Sequence, residues 1–272
     1  MSHPKISVIT PSFNQAAYLE RTILSVLDQD YPNIEYIIID GGSTDGSVDI
    51  IRKYANRLTN WVSESDHGQA HAINKGLQQA TGTWIAWQNS DDVFYPGTFS
   101  QLAQIAAIEP DADLIIGNMN LIDKDDMLLR DIKYARPTYL SMLAEGMVLA
   151  NQAAFWKRDV HLQIGFLNEL LDCAFDFDWF LRLLQHKSKS IHVPKAWGAL
   201  RLHDETKSSN RQNIFQAETK KILNGREIPK WQLRLFQIRR MILLLKAGEI
   251  SYVLRGAKKR LLSKNLFYYT DP

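Results

Sequence analysis

Tyr36-Ile37-Ile38-Ile39-Asp40-Gly41-Gly42-Ser43-Thr44-Asp45-Gly46 is the stretch on which the fold turns. Its first four residues form a continuous apolar and aromatic run, as in a strand covered on both faces. The run stops at an acid and enters small, turn-forming residues; from Val48 to Leu58 apolar residues recur at helical spacing. The same unit recurs on either side. Upstream, Ile6 to Thr10 leads through Pro11-Ser12-Phe13-Asn14 into a helix from Ala16 to Gln29. Downstream, Trp61 to Glu64 leads through Asp66-His67-Gly68 into a helix from Ala70 to Ala80. Thr83 to Trp87 then leads through Asn89-Ser90-Asp91-Asp92 into a helix from Gly97 to Ile108, and Asp113 to Gly117 reads as a further strand. Strands alternating with helices of this length predict right-handed crossovers. The expected class is α/β: a mostly parallel open sheet with helices on both faces.

After Asn118 the alternation breaks. Residues 119–150 read as an irregular excursion with an antiparallel element. Asp176 to Leu184 is a strong amphipathic helix, and Ser190 to Val193 and Trp197 to Leu202 read as strands. Residues 203–213 are polar, and basic amphipathic helices are expected from Pro229 onward. The organisation predicted is 1–118, then 119–224 as the second half of the same domain, then a helical tail over 225–272.

The composition is that of a globular chain: 272 residues, 45% hydrophobic and 23% charged, with a net charge of +2. That balance argues against a general nucleic-acid binder. The single cysteine, Cys173, excludes an internal disulfide framework and any cysteine-built metal site. No secretory signal is read at the N-terminus, and no stretch approaches the roughly 20 apolar residues of a membrane span. The expected location is the cytoplasm. The charge is unevenly spread: residues 225–272 hold eleven Lys/Arg against three Asp/Glu, so the body is acidic and the tail basic.

Open parallel sheets bind ligands beyond the carboxyl ends of their strands. Four consecutive strand ends carry small, polar or acidic residues here, groups that are costly to bury without a partner. Asp40 directly follows its strand, too early to cap the next helix, and suits a ligand's donors. Asp45 suits a helix cap or turn. Asp91 and Asp92 are adjacent acids that repel unless a cation or donors lie beside them. Hard oxygen donors suit Mg²⁺ or Mn²⁺ shared with phosphate oxygens; the alternative is a pair of solvated loop acids.

The ordered motifs P-S-F-N-Q, D-G-G-S-T-D-G, D-H-G-Q-A-H-A-I-N-K-G and N-S-D-D, each at a strand-to-helix junction, resemble glycosyltransferase family 2. The resemblance continues through F-D-F-D-W-F-L-R-L to R-L-H-D-E-T-K-S, over about residues 4–210. It implies the nucleotide-diphospho-sugar transferase fold, with residues 1–118 as the donor-binding half and 119–224 as the acceptor-binding, catalytic half. Pro11, Ser12, Phe13 and Asn14 would line the base and ribose of a nucleoside diphosphate. Asp40 would accept from the base, and Asp66 would lie on the nucleoside side. Asn89-Ser90-Asp91 corresponds to the family's D-x-D, with Asp91 as metal ligand and Asn89, Ser90 and Asp92 beside the nucleotide. Asn89 departs from the pattern, since an amide is a weaker metal ligand than an acid. Asp176, six residues before Arg182, corresponds to the catalytic base; Phe175 stands where the family usually has Glu. His203 would help bind the metal or diphosphate, and Lys207 could add positive charge.

These assignments imply an inverting, Mg²⁺- or Mn²⁺-dependent transferase. It would move sugar from a nucleotide sugar, a UDP-sugar first among candidates, to a glycan or lipid-linked acceptor in surface polysaccharide synthesis. A sugar nucleotidyltransferase would want a Gly-rich basic loop after the first strand, which P-S-F-N-Q is not. A phosphatase using Asp40 would want an acid at residue 42, where Gly42 stands. A non-catalytic nucleotide-sugar-binding or scaffold protein of the same fold is the remaining rival. In the tail, Trp231, Leu235, Ile238 and Ile242 fall on one helical stripe among basic residues, with Lys258-Lys259-Arg260 beyond. Such a stripe suits a peripheral membrane surface, packing on the enzyme body, or a homodimer partner.

Overall fold

The computed structural model describes residues 3–262 except Lys187, Glu205, residues 207–210 and Glu227, and omits the side chains of residues 257–262. Lys207 and the side chains of Lys258, Lys259 and Arg260 therefore lie outside the described residues.

The first half follows the sequence pattern closely. β1 (Ile6–Ser12) and α1 (Ala16–Leu27) are followed by β2 (Ile34–Asp40) and α2 (Ser47–Tyr54). β3 (Asn60–Ser63) and α3 (Gln69–Gln79) precede β4 (Trp84–Trp87). A two-residue β5 (Val93–Phe94) comes before α4 (Thr98–Ile108). β1, β2 and β4 are buried along almost their whole length, which is why they read as unbroken apolar runs.

The second half adds β6 (Leu114–Ile122), β7 (Leu128–Ile132), α5 (Tyr139–Glu145), β8 (Ala154–Lys157), α6 (Arg158–Ile164), α7 (Phe175–Gln185) and β9 (Ser190–Arg201). α8 (Gln212–Leu223), α9 (Lys230–Lys246) and α10 (Ile250–Leu262) follow. Nine strands among the described residues form one sheet, ordered β3-β2-β1-β4-β8-β6-β9-β5, with β7 paired to β6.

The sheet is more mixed than expected. β1, β2, β3 and β4 are mutually parallel, as are β6 and β9, but β8 runs antiparallel between β4 and β6. The excursion after β6 returns the chain to the sheet from the opposite direction. The two strands expected at 190–193 and 197–202 are a single β9. Its register against β6 shifts between the pairs Ile116–His192 and Asn118–Ala196, around Pro194, which has no N–H to give to the ladder.

This topology sets the position of the cleft. The chain runs outward from β1 through β2 to β3, then returns to place β4 on the other side of β1. The turns after β1 and β4 thus flank the reversal of strand order, where open α/β sheets leave a crevice. The core beneath is aromatic: Trp87 meets Trp156, Trp179 and Phe180, with ring centroids 5.2–5.8 Å apart. It joins β4 and β8 to α7, so the helix bearing Asp176 packs directly on the strand leading to Asp91 and Asp92.

Candidate active site

The turns after β1 and β2 are stitched together by their own polar groups. Asn14 takes a left-handed conformation (φ 51°), and its Oδ1 accepts the Thr44 N–H at 2.9 Å. The Asn14 N–H donates to Ser43 Oγ at 2.8 Å. Asp45 accepts the Ala16 N–H with Oδ2, and the Ser47 N–H and hydroxyl with Oδ1, tying the starts of α1 and α2. Partial burial raises its pKa, but these hydrogen bonds outweigh burial and hold the carboxyl below its usual range. A depression of about 400 Å³ lies beside these turns, lined by Asn14, Gln15, Ala17, Tyr18, Thr44 and Asp45.

Asp40 is fully buried. Its Oδ2 receives the N–H groups of Gly42 and Ser43 and the Ser63 hydroxyl at 2.7–3.1 Å, and its Oδ1 receives the Ser43 hydroxyl at 2.5 Å. Its carboxylate therefore shapes the β2 turn and links it to the end of β3. A base approaching Asp40 meets an acid already served by its own loop. Asp66 folds in below: its Oδ1 accepts the Gly68 N–H at 2.8 Å. A Cβ on Gly41 would lie 2.7 Å from Asp66 Oδ2, so any side chain there would push the Asp66 carboxylate away from the β2 turn. Pro11 and Ser12, expected in the loop, are instead the buried end of β1, paired with Ile39 and Asp40, whereas Phe13 is 60% exposed and Asn14 is exposed.

The turn after β4 divides its two acids. Asp92 is 2% exposed and accepts from Asn89 Nδ2, Gln152 Nε2 and the Arg201 N–H at 2.7–2.9 Å. Burial, then the adjacent Asp91, push its pKa well above the carboxylate range. Asp91 is partly exposed, and its Oδ2 lies 3.1 Å from His203 Nε2. The His203 ring stacks near Tyr18 at 4.5 Å between centroids. The structure thus brings Asp91 and His203, 112 residues apart in the chain, to one point beside the β1 turn. Ser90 is buried within the turn.

Asn89 has a local physical reason. Its Oδ1 accepts from Gln69 Nε2 at 2.9 Å while its Nδ2 donates to Asp92. An ionised Asp could accept but not donate, and would set a third carboxylate against Asp92.

Asp176 lies in the first turn of α7, half-buried, with Oδ1 receiving the Phe177 N–H at 2.6 Å. Asp178 is committed elsewhere, paired with Arg182 at 2.9 Å. Arg182 also donates to the carbonyls of Ile164 and Phe166, clamping α7 onto the turn before it. Glu218 of α8 accepts the N–H groups of Asp172, Cys173 and Ala174 at 2.8–2.9 Å, just ahead of α7. Partial burial opposes ionisation of Glu218, but the three N–H groups prevail and lower its pKa.

Three further residues position this site. Arg201 is fully buried; its Nε donates to the Asp91 carbonyl, its N–H to Asp92, and its Nη1 to the Asp123 carbonyl. Gln152 reaches Asp92 because β9 passes hard against it: a Cβ on Gly198 would lie 2.1 Å from the Gln152 carbonyl oxygen. Asn74 of α3 binds both the N–H and the carbonyl of Leu167, and Glu169 as well. Asn74 stands inside the D-H-G-Q-A-H-A-I-N-K-G motif, a signal that it matters, but its partner 93 residues away cannot be read from spacing. Among the described residues no group of three or more His, Cys, Asp or Glu could hold a metal ion.

Comparison with known proteins agrees with this architecture. A profile described as glycosyl transferase family 2 matches residues 7–152. A putative teichuronic acid biosynthesis glycosyltransferase of Bacillus subtilis, TuaG, is 46% identical over 92 residues. That match covers 33% of this chain and only 36% of TuaG. Among solved structures, S. aureus TarS 1-349 in complex with UDP-GlcNAc aligns with a TM-score of 0.68 at 19% identity. The alignment covers 85% of this chain and 70% of that one. The mannosyltransferase PcManGT of Pyrobaculum calidifontis, in complex with GDP-Man and Mn²⁺, aligns with a TM-score of 0.63 at 19% identity, covering 97% and 82%.

Proposed function

Because the chain belongs to glycosyl transferase family 2, we propose that it is an inverting glycosyltransferase using a nucleotide-sugar donor, a UDP-sugar first. The observation that carries this reading is the meeting of Asp91 and His203 at the crevice between the β1 and β4 turns. The solved neighbours bound to UDP-GlcNAc and GDP-Man support a nucleotide-sugar donor. Residues 1–118 act as the donor half and 119–224 as the acceptor half of one domain, with the basic helices appended. TuaG's teichuronic acid biosynthesis supports a glycan or lipid-linked acceptor in surface polysaccharide assembly.

In this reading the exposed Phe13 and Asn14 receive the nucleoside, while Asp40, Asp45 and Asp66 hold their turns in shape. Asp91 Oδ2 and His203 Nε2 are the residues that would hold Mg²⁺ or Mn²⁺. A carboxylate oxygen and an imidazole nitrogen suit Mn²⁺, and hard divalent ions share their coordination with diphosphate oxygens. The PcManGT complex with Mn²⁺ supports that choice. A bound ion supplies positive charge to the departing diphosphate. Asp92 stays inside the turn and keeps Asp91 in place. Asp176 takes the proton of the acceptor hydroxyl, whose oxygen attacks the anomeric carbon from the face opposite the leaving group.

The test is a thermal-shift titration with UDP- and GDP-sugars, with and without Mn²⁺, on wild type and Asp91→Ala. Product anomers are followed by NMR. A UDP-sugar should raise the melting temperature of wild type with Mn²⁺ and much less that of Asp91→Ala. A response to GDP-sugars alone would remove the UDP assignment, and retained anomeric configuration would remove the inverting one.

A further inference from the structure

Away from the cleft, α9 carries a surface that its packing leaves uncovered. Trp231, Leu235, Ile238, Ile242 and Leu245 are 41–62% exposed. At 100° per residue they fall within an arc of about 80°. The opposite side of the helix is fastened to the body. Leu244 is buried and Arg240 pairs with Glu145 at 3.2 Å, while Arg239, on the flank, reaches the Arg136 carbonyl. α10 is fastened too, through Arg255–Asp131 at 3.0 Å and, just before its start, Lys133–Glu249 at 3.2 Å, and it leaves Ile250 and Leu254 exposed. The inward side carries Leu244 and the partly buried Leu233, Phe236 and Leu243 beside Arg240, so α9 is apolar on two sides and the outward stripe is the one its packing leaves uncovered.

Charge identifies the occupant. Residues 225–272 hold eleven basic and three acidic residues. Arg240 and Arg255 are matched by acids of the body, whereas Arg234 and Lys246, both exposed beside the stripe, have no ion pair among the described residues. A second copy of the chain would set the same cationic rim against itself. An anionic lipid surface takes both features at once: acyl chains for the stripe, headgroups for the rim, and the interface for the indole of Trp231. Among the described residues no helix is long and apolar enough to cross a membrane, so such a helix lies in the interface plane. We propose that the outward face of α9, extended by Ile250 and Leu254 of α10, docks the protein on an anionic bilayer.

Co-sedimentation of the full chain with vesicles tests this, with no donor or acceptor present, so its outcome is independent of the transferase reading. The protein should partition onto mixed phosphatidylglycerol–phosphatidylcholine vesicles, poorly onto phosphatidylcholine alone, and less at high salt. Arg234→Gln with Lys246→Gln should weaken partition about 25-fold, at about fivefold per basic residue. Leu235→Ser with Ile242→Ser should weaken it at least about tenfold. Both pairs are exposed, and circular dichroism should confirm unchanged folding. Failure to bind the mixed vesicles, or equal binding by the serine pair, would overturn the proposal. So would a wild-type dimer in sedimentation equilibrium that the serine pair converts to monomer.

Discussion

The turns after β1 and β2 and the segment before α7 both place functional residues, but by different means. The two turns are shaped mostly from within: Asp40 binds its own next residues, Asp45 binds Ser47, and Asn14 binds Thr44 across neighbouring loops. The stretch from Ile164 to Asp176 is instead held by single side chains from elsewhere, Asn74 of α3, Arg182 of α7 and Glu218 of α8. A strand end with turn residues encodes its own shape. A segment hung on distant clamps depends on partners that the local sequence does not reveal. The β4 turn stands between the two, because Arg201 secures it from the far end of β9.

The largest effect is expected at that intermediate case. Arg201→Met strips the Asp91 carbonyl of its donor, leaves the Asp123 carbonyl with the Asp126 N–H alone, and removes the ion pair with Asp126. Urea denaturation should show a loss of about 3 kcal/mol, from hydrogen bonds made by a buried charged group. A loss below about 1 kcal/mol would make the turn self-supporting, like those after β1 and β2.

Asn74→Ala comes next. It leaves the buried N–H and carbonyl of Leu167 without partners, at about 2 kcal/mol. Amide exchange should quicken over residues 164–172 while residues 11–14 and 40–45 remain protected. Equal loosening of both regions would erase the distinction drawn between them.

The pH dependence separates the two regions as well. Burial, with Arg158 adding to it, lowers the His161 pKa to about 4; burial, then Lys133, does the same for His192. Unfolded histidine binds its proton near pH 6.5, so the native state holds fewer protons between those values. Stability contributed by these neutral rings is present above about pH 6.5 and is lost as pH falls towards 4. Glu218, with its lowered pKa, adds a loss at still lower pH, as it is protonated. Exchange should therefore rise first in the second half on acidification, with the β1 and β2 turns following only in the carboxylate range. The reverse order would contradict the assignment.

Much of the first half was legible because its code is local. β1 to β4 and their helices follow from apolar runs and turn residues, and Asp45 serves as the turn residue its position suggested, bound to the first N–H groups of α1 and α2. Asp40 was also placed at the right edge, but its four internal donors could not be seen in the sequence. The Asp91–His203 contact needed the family resemblance, since nothing in either segment points to the other. β8 was missed because four residues, A-F-W-K, carry too little pattern, and its antiparallel insertion depends on the return path of residues 123–153. Arg201 reads as an ordinary charged residue until β9 pairs with β6 and brings it, buried, against Asp91 and Asp92. The outward stripe of α9 was legible as a stripe; its direction depends on Arg240 and Leu244.

Single-turnover sugar transfer in Asp176→Asn, measured beside donor affinity, tests most directly whether one site joins the two halves. The account expects transfer to fall by about two to four orders of magnitude while donor affinity stays within about twofold of wild type. Transfer at the wild-type rate, or loss of donor binding along with transfer, would contradict it.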